Sequence, residues 1–520
     1  VTVVNVLLRL LVAALSGLAL SGAFEPLAHT WMAPLAVAGL ALGVHGLRAR
    51  SAWLVGLVFG VAYFFTLQWW MRAVGPDAWF GLSALEAAFY APLASAWAAL
   101  QSRGRWWPWW CAVVWVAVES VRCTWPFSGM PWGRLSYSVA DSVWAPGLPW
   151  LGFTGTSLLL CLLGTCLAAL LLSPRRHSLT RVGVMSALLC ATLLPWGVRG
   201  AYSSIDDGAG ERAVVAVVQG DVPGAGDDLV SVHREVTDNH VRASVALADA
   251  VERGEVERPA FVVWPENSTA VDPFSNSRTR SGIEEAVREL GVPVLVGAMV
   301  DDVRDDRVLN QGVVWDPVTG PSERYTKWHP VPFGEYVPWR DLVFKQNLGR
   351  LHEVGRDMLS GDRTEPLSIA GIEVADAICF DVAYDDGIHA QVRNGAELLV
   401  VQTSNATFIH TDQVDQQYAI TRLRALETGR SLAVASTNGI SGIVGPDGST
   451  IARAAKRSTE TVVEEVVLRA AVTPAVRMDA WPGRLSVLAS IVVLGGPLLS
   501  RTMAYIRRRN SRAPSPEVIT

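Results

Sequence analysis

Hydrophobic positions gather into seven apolar segments within the first 200 residues, near Val3 to Leu20, Trp31 to Leu47, Ala52 to Val74, Trp79 to Leu100, Trp106 to Val121, Trp150 to Leu172 and Val182 to Val198. An eighth runs from about Leu485 to Tyr505. Segments approaching the roughly 20 residues that cross a hydrocarbon core predict a membrane α-helical bundle of about eight transmembrane helices. Residues 201–480 follow another pattern. Short β-branched runs predict strands at Ala213 to Gln219, Ala260 to Trp264, Pro293 to Ala298, Gly312 to Trp315, Ile372 to Ile378, Glu397 to Thr403 and Leu432 to Ser436. Helical patterns lie between many of them, at Leu229 to Glu252, Ser281 to Leu290 and Asp415 to Gly429, the last closed by a glycine. Gly445-Pro446-Asp447-Gly448 reads as a turn between two further strands. Strands alternating with helices predict an α/β domain with helices on the sheet faces.

The chain therefore divides into a bundle over 1–200, an α/β domain over 201–480, a C-terminal transmembrane helix over 481–506 and a basic, disordered tail over 507–520. Charge sharpens this division. Residues 201–480 hold 26 Lys+Arg against 43 Asp+Glu, whereas the remainder holds 18 against 6. An acidic soluble part argues against nucleic acid as its partner, and mean hydropathy of +0.27 fits membrane insertion. The connections after the second, fourth and sixth segments carry Arg48 and Arg50, Arg103 and Arg105, then Arg175, Arg176 and Arg181. Positive residues favour the cytoplasm, so these loops and both termini are expected there, with 201–480 on the extracytoplasmic side. Removing the first segment as a signal peptide would invert this pattern in every later loop, so it reads as a retained crossing. Arg122 and Arg134 do not fit the pattern. Tryptophans at segment ends (Trp69, Trp70, Trp106, Trp107, Trp109, Trp110) mostly read as an interfacial belt.

Candidate chemistry begins with Cys379, the only cysteine between residues 201 and 480. A lone thiol with no domain-mate is either buried filler or a nucleophile, and a strand end is a suitable place for the second. Glu266 follows Phe261-Val262-Val263-Trp264-Pro265, and Lys327 follows Glu323-Arg324-Tyr325-Thr326. An attacking thiol needs a base and a group to hold the developing oxyanion, which a carboxylate and an ammonium supply. Lys327 is one of only three lysines among 44 basic residues. Its retention points to a need for a compact ammonium rather than a planar guanidinium. Lys327 also opens a run to Pro338 whose three prolines and glycine predict an irregular loop. The histidines of the soluble half show no close ligand spacing with acids or cysteines, so no metal or organic cofactor is expected.

These residues resemble the nitrilase (carbon-nitrogen hydrolase) superfamily and, within it, the apolipoprotein N-acyltransferases of bacterial membranes. The likeness rests on Val218-Gln219-Gly220-Asp221-Val222-Pro223, Trp264-Pro265-Glu266, Pro332-Phe333-Gly334-Glu335-Tyr336-Val337-Pro338, Ile378-Cys379, Arg424-Ala425-Leu426-Glu427 and Ser436-Thr437-Asn438-Gly439-Ile440-Ser441. It implies an αββα sandwich beside the bundle, in a multi-pass protein of the bacterial inner membrane. It also implies Glu266 as general base, Lys327 as oxyanion stabiliser, Cys379 as nucleophile, Glu335 as a supporting acid and the Phe380 N–H as an oxyanion donor. The expected substrates are a phospholipid acyl donor and diacylglyceryl apolipoproteins, joined through a thioester. Two departures stand out: relatives often have Tyr-Glu where this chain has Phe380-Asp381, and Ser404 to Phe408 lacks a tryptophan common among them.

Two other readings are open from the residues alone: a membrane-tethered amidase on a small substrate, and a membrane scaffold for a polyprenol-phosphate glycosyltransferase partner. The tripeptides Asn267-Ser268-Thr269 and Asn405-Ala406-Thr407 match glycosylation acceptors but adjoin the motifs above and read as chance.

Overall fold

The computed structural model of the chain describes residues 3–173, 192, 210–229, 231–302, 306–340 and 354–510. The seventh apolar segment, Val182 to Val198, lies almost wholly outside these residues. Helices α1 (Val3–Ser21), α2 (Met32–Val44), α3 (Ala49–Leu67), α4 (Pro76–Ala88), α5 (Tyr90–Gln101), α6 (Trp107–Arg122) and α7 (Leu148–Leu172) form the bundle. Among the described residues, three helical stretches are long and apolar enough to cross a membrane: Val4–Ser21, Ala49–Leu67 and Ala145–Leu172. The segment expected as one span from Trp79 to Leu100 is two helices, α4 and α5, joined at Phe89. Pro92 supplies the reason: it has no N–H to offer the Ala88 carbonyl, so the ladder is interrupted there.

Close backbone approach inside the bundle depends on Gly56 and Gly60 of α3. A Cβ at Gly56 would stand 2.0 Å from the Tyr90 carbonyl oxygen, and one at Gly60 would stand 2.6 Å from that of Ala87. This four-residue spacing of small residues lets helices pack on their backbones where lipid offers no hydrophobic driving force. Gly56→Leu is therefore expected to force α3 from α5 and cost at least about 1–3 kcal/mol. Thermal unfolding of the detergent-solubilised protein measures this, and an unchanged midpoint would refute the packing argument.

The two misplaced arginines are explained by burial. Arg122 is 1% exposed and its Nη1 donates to Glu86 Oε2 at 2.5 Å, as well as to the carbonyls of Met130 and Trp132. Arg134 pairs with Asp385 of the α/β domain. Both are spent inside the protein and do not report loop charge. Large apolar side chains that remain exposed include Leu7, Leu8, Leu11, Leu15 and Leu18 of α1, and Leu485, Leu488 and Ile491 of the C-terminal helix. Such faces suit lipid rather than water. Trp69, Trp106 and Trp109 are exposed as a belt requires, but Trp70 turns inward and donates through Nε1 to Gln416.

Among the described residues, the second half contains twelve strands in two six-stranded mixed sheets. One has the order β12-β1-β2-β3-β4-β5 and the other β11-β10-β9-β8-β7-β6. In the first are β1 (Arg212–Gln219), β2 (Phe261–Val263), β3 (Val294–Asp302), β4 (Arg307–Asp316), β5 (Gly320–Thr326) and β12 (Glu460–Val467). In the second are β6 (Leu367–Ile369), β7 (Ile372–Ile378), β8 (Leu398–Thr403), β9 (Leu432–Ser436), β10 (Gly442–Val444) and β11 (Thr450–Arg453). Alternate residues such as Val215, Val217, Phe261 and Val263 meet Val374, Ile378, Leu398 and Val400 in a core between the sheets. The sheets approach closely at Gly312, where a Cβ would stand 2.2 Å from Asp376 Oδ2.

Helices α8 (His233–Glu252) and α9 (Ser277–Leu290) cover the outer face of the first sheet. Helices α10 (Asp386–Arg393) and α11 (Gln413–Thr428) cover the second, and α11 ends at left-handed Gly429 as expected. On this side the core does not stop at the helices. Phe380, Tyr384, Leu399, Val401 and Leu423 share one buried apolar cluster with Phe59, Tyr63, Trp132 and Phe153 of the bundle. After α12 (Pro474–Met478), the chain returns to the bundle as α13 (Trp481–Asn510).

Candidate active site

Strand ends bring the three expected residues together. Parallel pairing of β7 with β8 and of β2 with both β1 and β3 aligns their carboxyl ends, the usual place for a site in such sheets. Glu266 leaves β2 through Trp264-Pro265, Lys327 directly follows β5, and Cys379 directly follows β7. Cys379 opens a 3-10 turn, Cys379–Ala383, and has a φ of 52°. A left-handed non-glycine residue is strained, and the surrounding contacts must hold it.

Lys327 is 1% exposed and joins the acids. Its Nζ lies 3.2 Å from Glu266 Oε1 and 2.7 Å from Glu335 Oε1. The remaining carboxylate oxygens are also occupied. Glu266 Oε1 accepts from Asn310 Nδ2 at 2.7 Å, and its Oε2 accepts from the Ser404 N–H at 2.9 Å. Glu335 Oε2 accepts from the Val331 N–H at 2.7 Å, anchoring the proline-rich loop to the site. Every partner is pre-oriented, so little rearrangement is needed as charge develops.

Electrostatics sets the order of events. Burial alone would lower the Lys327 ammonium, but Glu266, Glu335, Cys379 and Asp381 together hold it well above its ordinary value. Glu335 is raised, chiefly by burial, with Lys327 opposing and Glu266 reinforcing the shift. The Cys379 thiol is pushed up to about 12, first by burial and then by Glu266, against the pull of Lys327 and a hydrogen bond with Thr403. Two carboxylates beside one ammonium leave no free positive charge to support a resting thiolate. For a thiol held in this way to attack, its proton would have to leave as the new bond forms, and the carboxylate of Glu266 is the base at hand. Attack by Cys379 is therefore expected to proceed at a constant rate across pH 7 to 9, where an ordinary thiol ionises at about 8.5. Single-turnover acylation against pH checks this, and an inflection near that value would contradict it.

Phe380 follows Cys379 in the first turn of the 3-10 helix, where a backbone N–H has no intrahelical acceptor. Its ring lies among apolar groups, 5.1 Å from that of Tyr384. Asp381, one residue on, is a hub. Its Oδ2 accepts from the Tyr325 hydroxyl at 3.0 Å, the Trp328 N–H at 3.1 Å and the Ile378 N–H at 3.3 Å, while Oδ1 accepts from the His329 N–H at 2.7 Å. A short acid thus ties the end of β7 to the residues following Lys327.

Sequence reasoning missed Asn310, Thr403 and Gln417. Gln417 Nε2 donates to Thr403 Oγ1 at 3.1 Å and approaches Cys379 Sγ at 3.8 Å. Asparagine inside β4 and glutamine inside α11 carry no local signature; a polar residue in an otherwise buried strand was the available clue for Asn310. Both glycosylation-like tripeptides are internal: Ser268 and Thr269 are buried, and Asn405 donates to Gln413 and Gln417. A separate group, Asp385, His389 and Glu427, places ligand-type atoms within 4.8 Å of one another. Arg134 and Arg424 already pair with its carboxylates, so it forms an ion-pair network.

The chain is similar to known proteins over most of its length. Residues 16–166 match the family described as apolipoprotein N-acyltransferase N-terminal domain, and residues 214–474 match carbon-nitrogen hydrolase. It is 32% identical to the apolipoprotein N-acyltransferase of Mycolicibacterium smegmatis, covering 92% of this chain and 83% of that protein. It is 25% identical to the protein of the same name from Photobacterium profundum, over 97% and 96% of the two chains. Among solved structures, a carbon-nitrogen hydrolase from Helicobacter pylori aligns with a TM-score of 0.36 at 16% identity, covering 49% of this chain and 88% of that one.

Proposed function

Since the chain belongs to the apolipoprotein N-acyltransferase family, we propose that its Glu266, Lys327 and Cys379 move a fatty acyl chain from a membrane phospholipid to the α-amine of a diacylglyceryl-cysteine at a lipoprotein N-terminus. The observation that carries this reading is the half-buried Cys379 beside an ammonium shared by two carboxylates. In the first half-reaction, sulfur attacks the ester carbonyl and Glu266 takes the thiol proton. The oxyanion is held by Lys327 and the Phe380 N–H. Collapse breaks the ester C–O bond, and Glu266 returns the proton to the departing lysophospholipid. In the second, the free amine attacks the thioester carbonyl and gives its proton to Glu266. The C–S bond breaks, the amide is released, and the proton returns to sulfur. Ping-pong kinetics follow from a covalent enzyme between two substrates. Glu335 keeps Lys327 oriented and charged throughout.

Both substrates keep their acyl chains in the bilayer, which accounts for an α/β domain fused to a bundle by a continuous apolar core. The membrane arrangement is eight crossings, with a bundle over 1–200, a catalytic domain over 201–480, a returning helix over 481–506 and a basic tail beyond. The catalytic domain faces away from the cytoplasm and both termini lie within it; the arginine distribution supports this orientation, now that Arg122 and Arg134 are accounted for by buried pairing. The test is to incubate the purified protein with phospholipid and a diacylglyceryl-cysteine peptide. The peptide should gain one amide-linked acyl chain by mass spectrometry. An unmodified peptide alongside hydrolysis of small amides would favour the amidase reading instead.

A further inference from the structure

The turn that carries the nucleophile is gripped from the membrane side. Contacts reach it from the loop joining α6 to α7, residues 123–147. The Tyr137 hydroxyl donates to the Ala383 carbonyl at 2.6 Å. Arg134 Nη1 donates to both carboxylate oxygens of Asp385, at 2.8 Å each. The Gly129 carbonyl accepts from the Tyr384 hydroxyl at 2.9 Å. The Trp132 ring stacks beside that of Phe380 with centroids 6.4 Å apart, and its own Nε1 is fixed on Gln416 Oε1 at 2.7 Å. Arg424 of α11 completes the grip, donating through Nε to the Val382 carbonyl at 2.9 Å and through Nη2 to Asp385 at 2.8 Å.

Each residue after the nucleophile is thereby held by a separate contact: Phe380 by Trp132, Asp381 by its own carboxylate bonds, Val382 by Arg424 and Ala383 by Tyr137. Trp132, Arg134, Tyr137 and Arg424 are all buried. A buried polar side chain that loses its partner is costly, so these contacts resist distortion. The Phe380 N–H belongs to this same 3-10 turn, and its direction is set wherever the turn is set. Misplacing such a donor by about 1 Å is enough to cost about 100-fold in rate.

We propose that the loop between α6 and α7, through Trp132, Arg134 and Tyr137, is a positioning element for the oxyanion hole, so that the bundle takes part in aligning the acyl-transfer chemistry as well as holding the enzyme in the membrane. The inference rests on the thioester reading above. It separates two reactions of one sulfur. Acylation by phospholipid passes through an oxyanion and needs the aligned N–H. Alkylation by iodoacetamide displaces iodide at a tetrahedral carbon and needs no oxyanion donor.

Tyr137→Phe in the full-length protein keeps the ring that packs edge-on against Phe153 at 4.9 Å and removes only the hydroxyl. Thioester formation is expected to slow by about 10- to 100-fold, with KM for phospholipid within about twofold of wild type. Alkylation of Cys379, followed on its own peptide by mass spectrometry, is expected within about twofold of wild type, because no oxyanion forms. Arg134→Gln should behave likewise, and Arg134→Lys should recover part of the loss. Wild-type acylation rates in both Tyr137→Phe and Arg134→Gln would overturn the inference. A parallel fall in acylation and alkylation would also overturn it, since the loop would then serve only to keep the domain folded. A wild-type protein whose Cys379 is alkylated but never acylated would instead remove the thioester reading on which the inference stands.

Discussion

Cells whose only copy of this protein is Cys379→Ala are expected to accumulate lipoproteins that keep their diacylglyceryl group and lack the amide-linked chain. The substitution removes the sulfur proposed to carry the acyl group between donor and acceptor, so activity should fall to background rather than by a fraction. The fold should survive. The side chain is small, it sits at the end of β7 rather than in the middle of a core, and Asp381, Tyr137 and Arg424 hold the turn independently of sulfur. Mass spectrometry of lipoprotein N-termini reads the outcome. N-termini identical to wild type would mean that the acyl chain travels by another route.

Lys327→Met is expected to be nearly as damaging to activity and more damaging to stability. The ammonium is shared by Glu266 and Glu335, and replacing it with an apolar chain of similar length leaves one buried and one partly buried carboxylate without their cation. Removing one member of a buried ion pair typically costs about 3–5 kcal/mol. Loss of the charge proposed to hold the oxyanion is expected to lower the rate by at least about 100- to 1000-fold. Single-turnover acylation and thermal unfolding measure the two effects separately. A variant that unfolds at the wild-type temperature would contradict the burial of this cluster, and one that acylates at the wild-type rate would contradict the role of Lys327.

Much of the α/β half was legible because its chemistry is local. The β-branched run Ile372 to Ile378 is bounded by Gly371 and Cys379, and its predicted limits are those of β7. The glycine at 429 marked the end of α11 for the same local reason. Elements defined by distant partners were not legible. Gln416 receives Trp70 and Trp132 from far away in the chain, and Asn310 meets Glu266 across a sheet. The most useful signal was a misfit. Arg122 and Arg134 broke the charge pattern of the loops, and each is occupied with a carboxylate inside the protein.

Asp381 illustrates why a departure from the usual pattern need not disturb the site. A shorter acid still collects three backbone N–H groups and a tyrosine hydroxyl, because Ile378, Trp328 and His329 converge on it from two strand ends. The apolar ring of Phe380 likewise fits its surroundings, where Trp132 and Tyr384 pack around it. The reacting groups, in contrast, rely on polar neighbours at each oxygen of Glu266 and Glu335.

The central claim is that sulfur carries the acyl chain. The protein should be incubated with a phospholipid bearing a labelled acyl group and no acceptor, then digested and mapped. One acyl group is expected on Cys379, bound as a thioester that is discharged when a diacylglyceryl-cysteine peptide is added. Label on any other residue, or an acylated peptide formed with no label ever reaching Cys379, would contradict it.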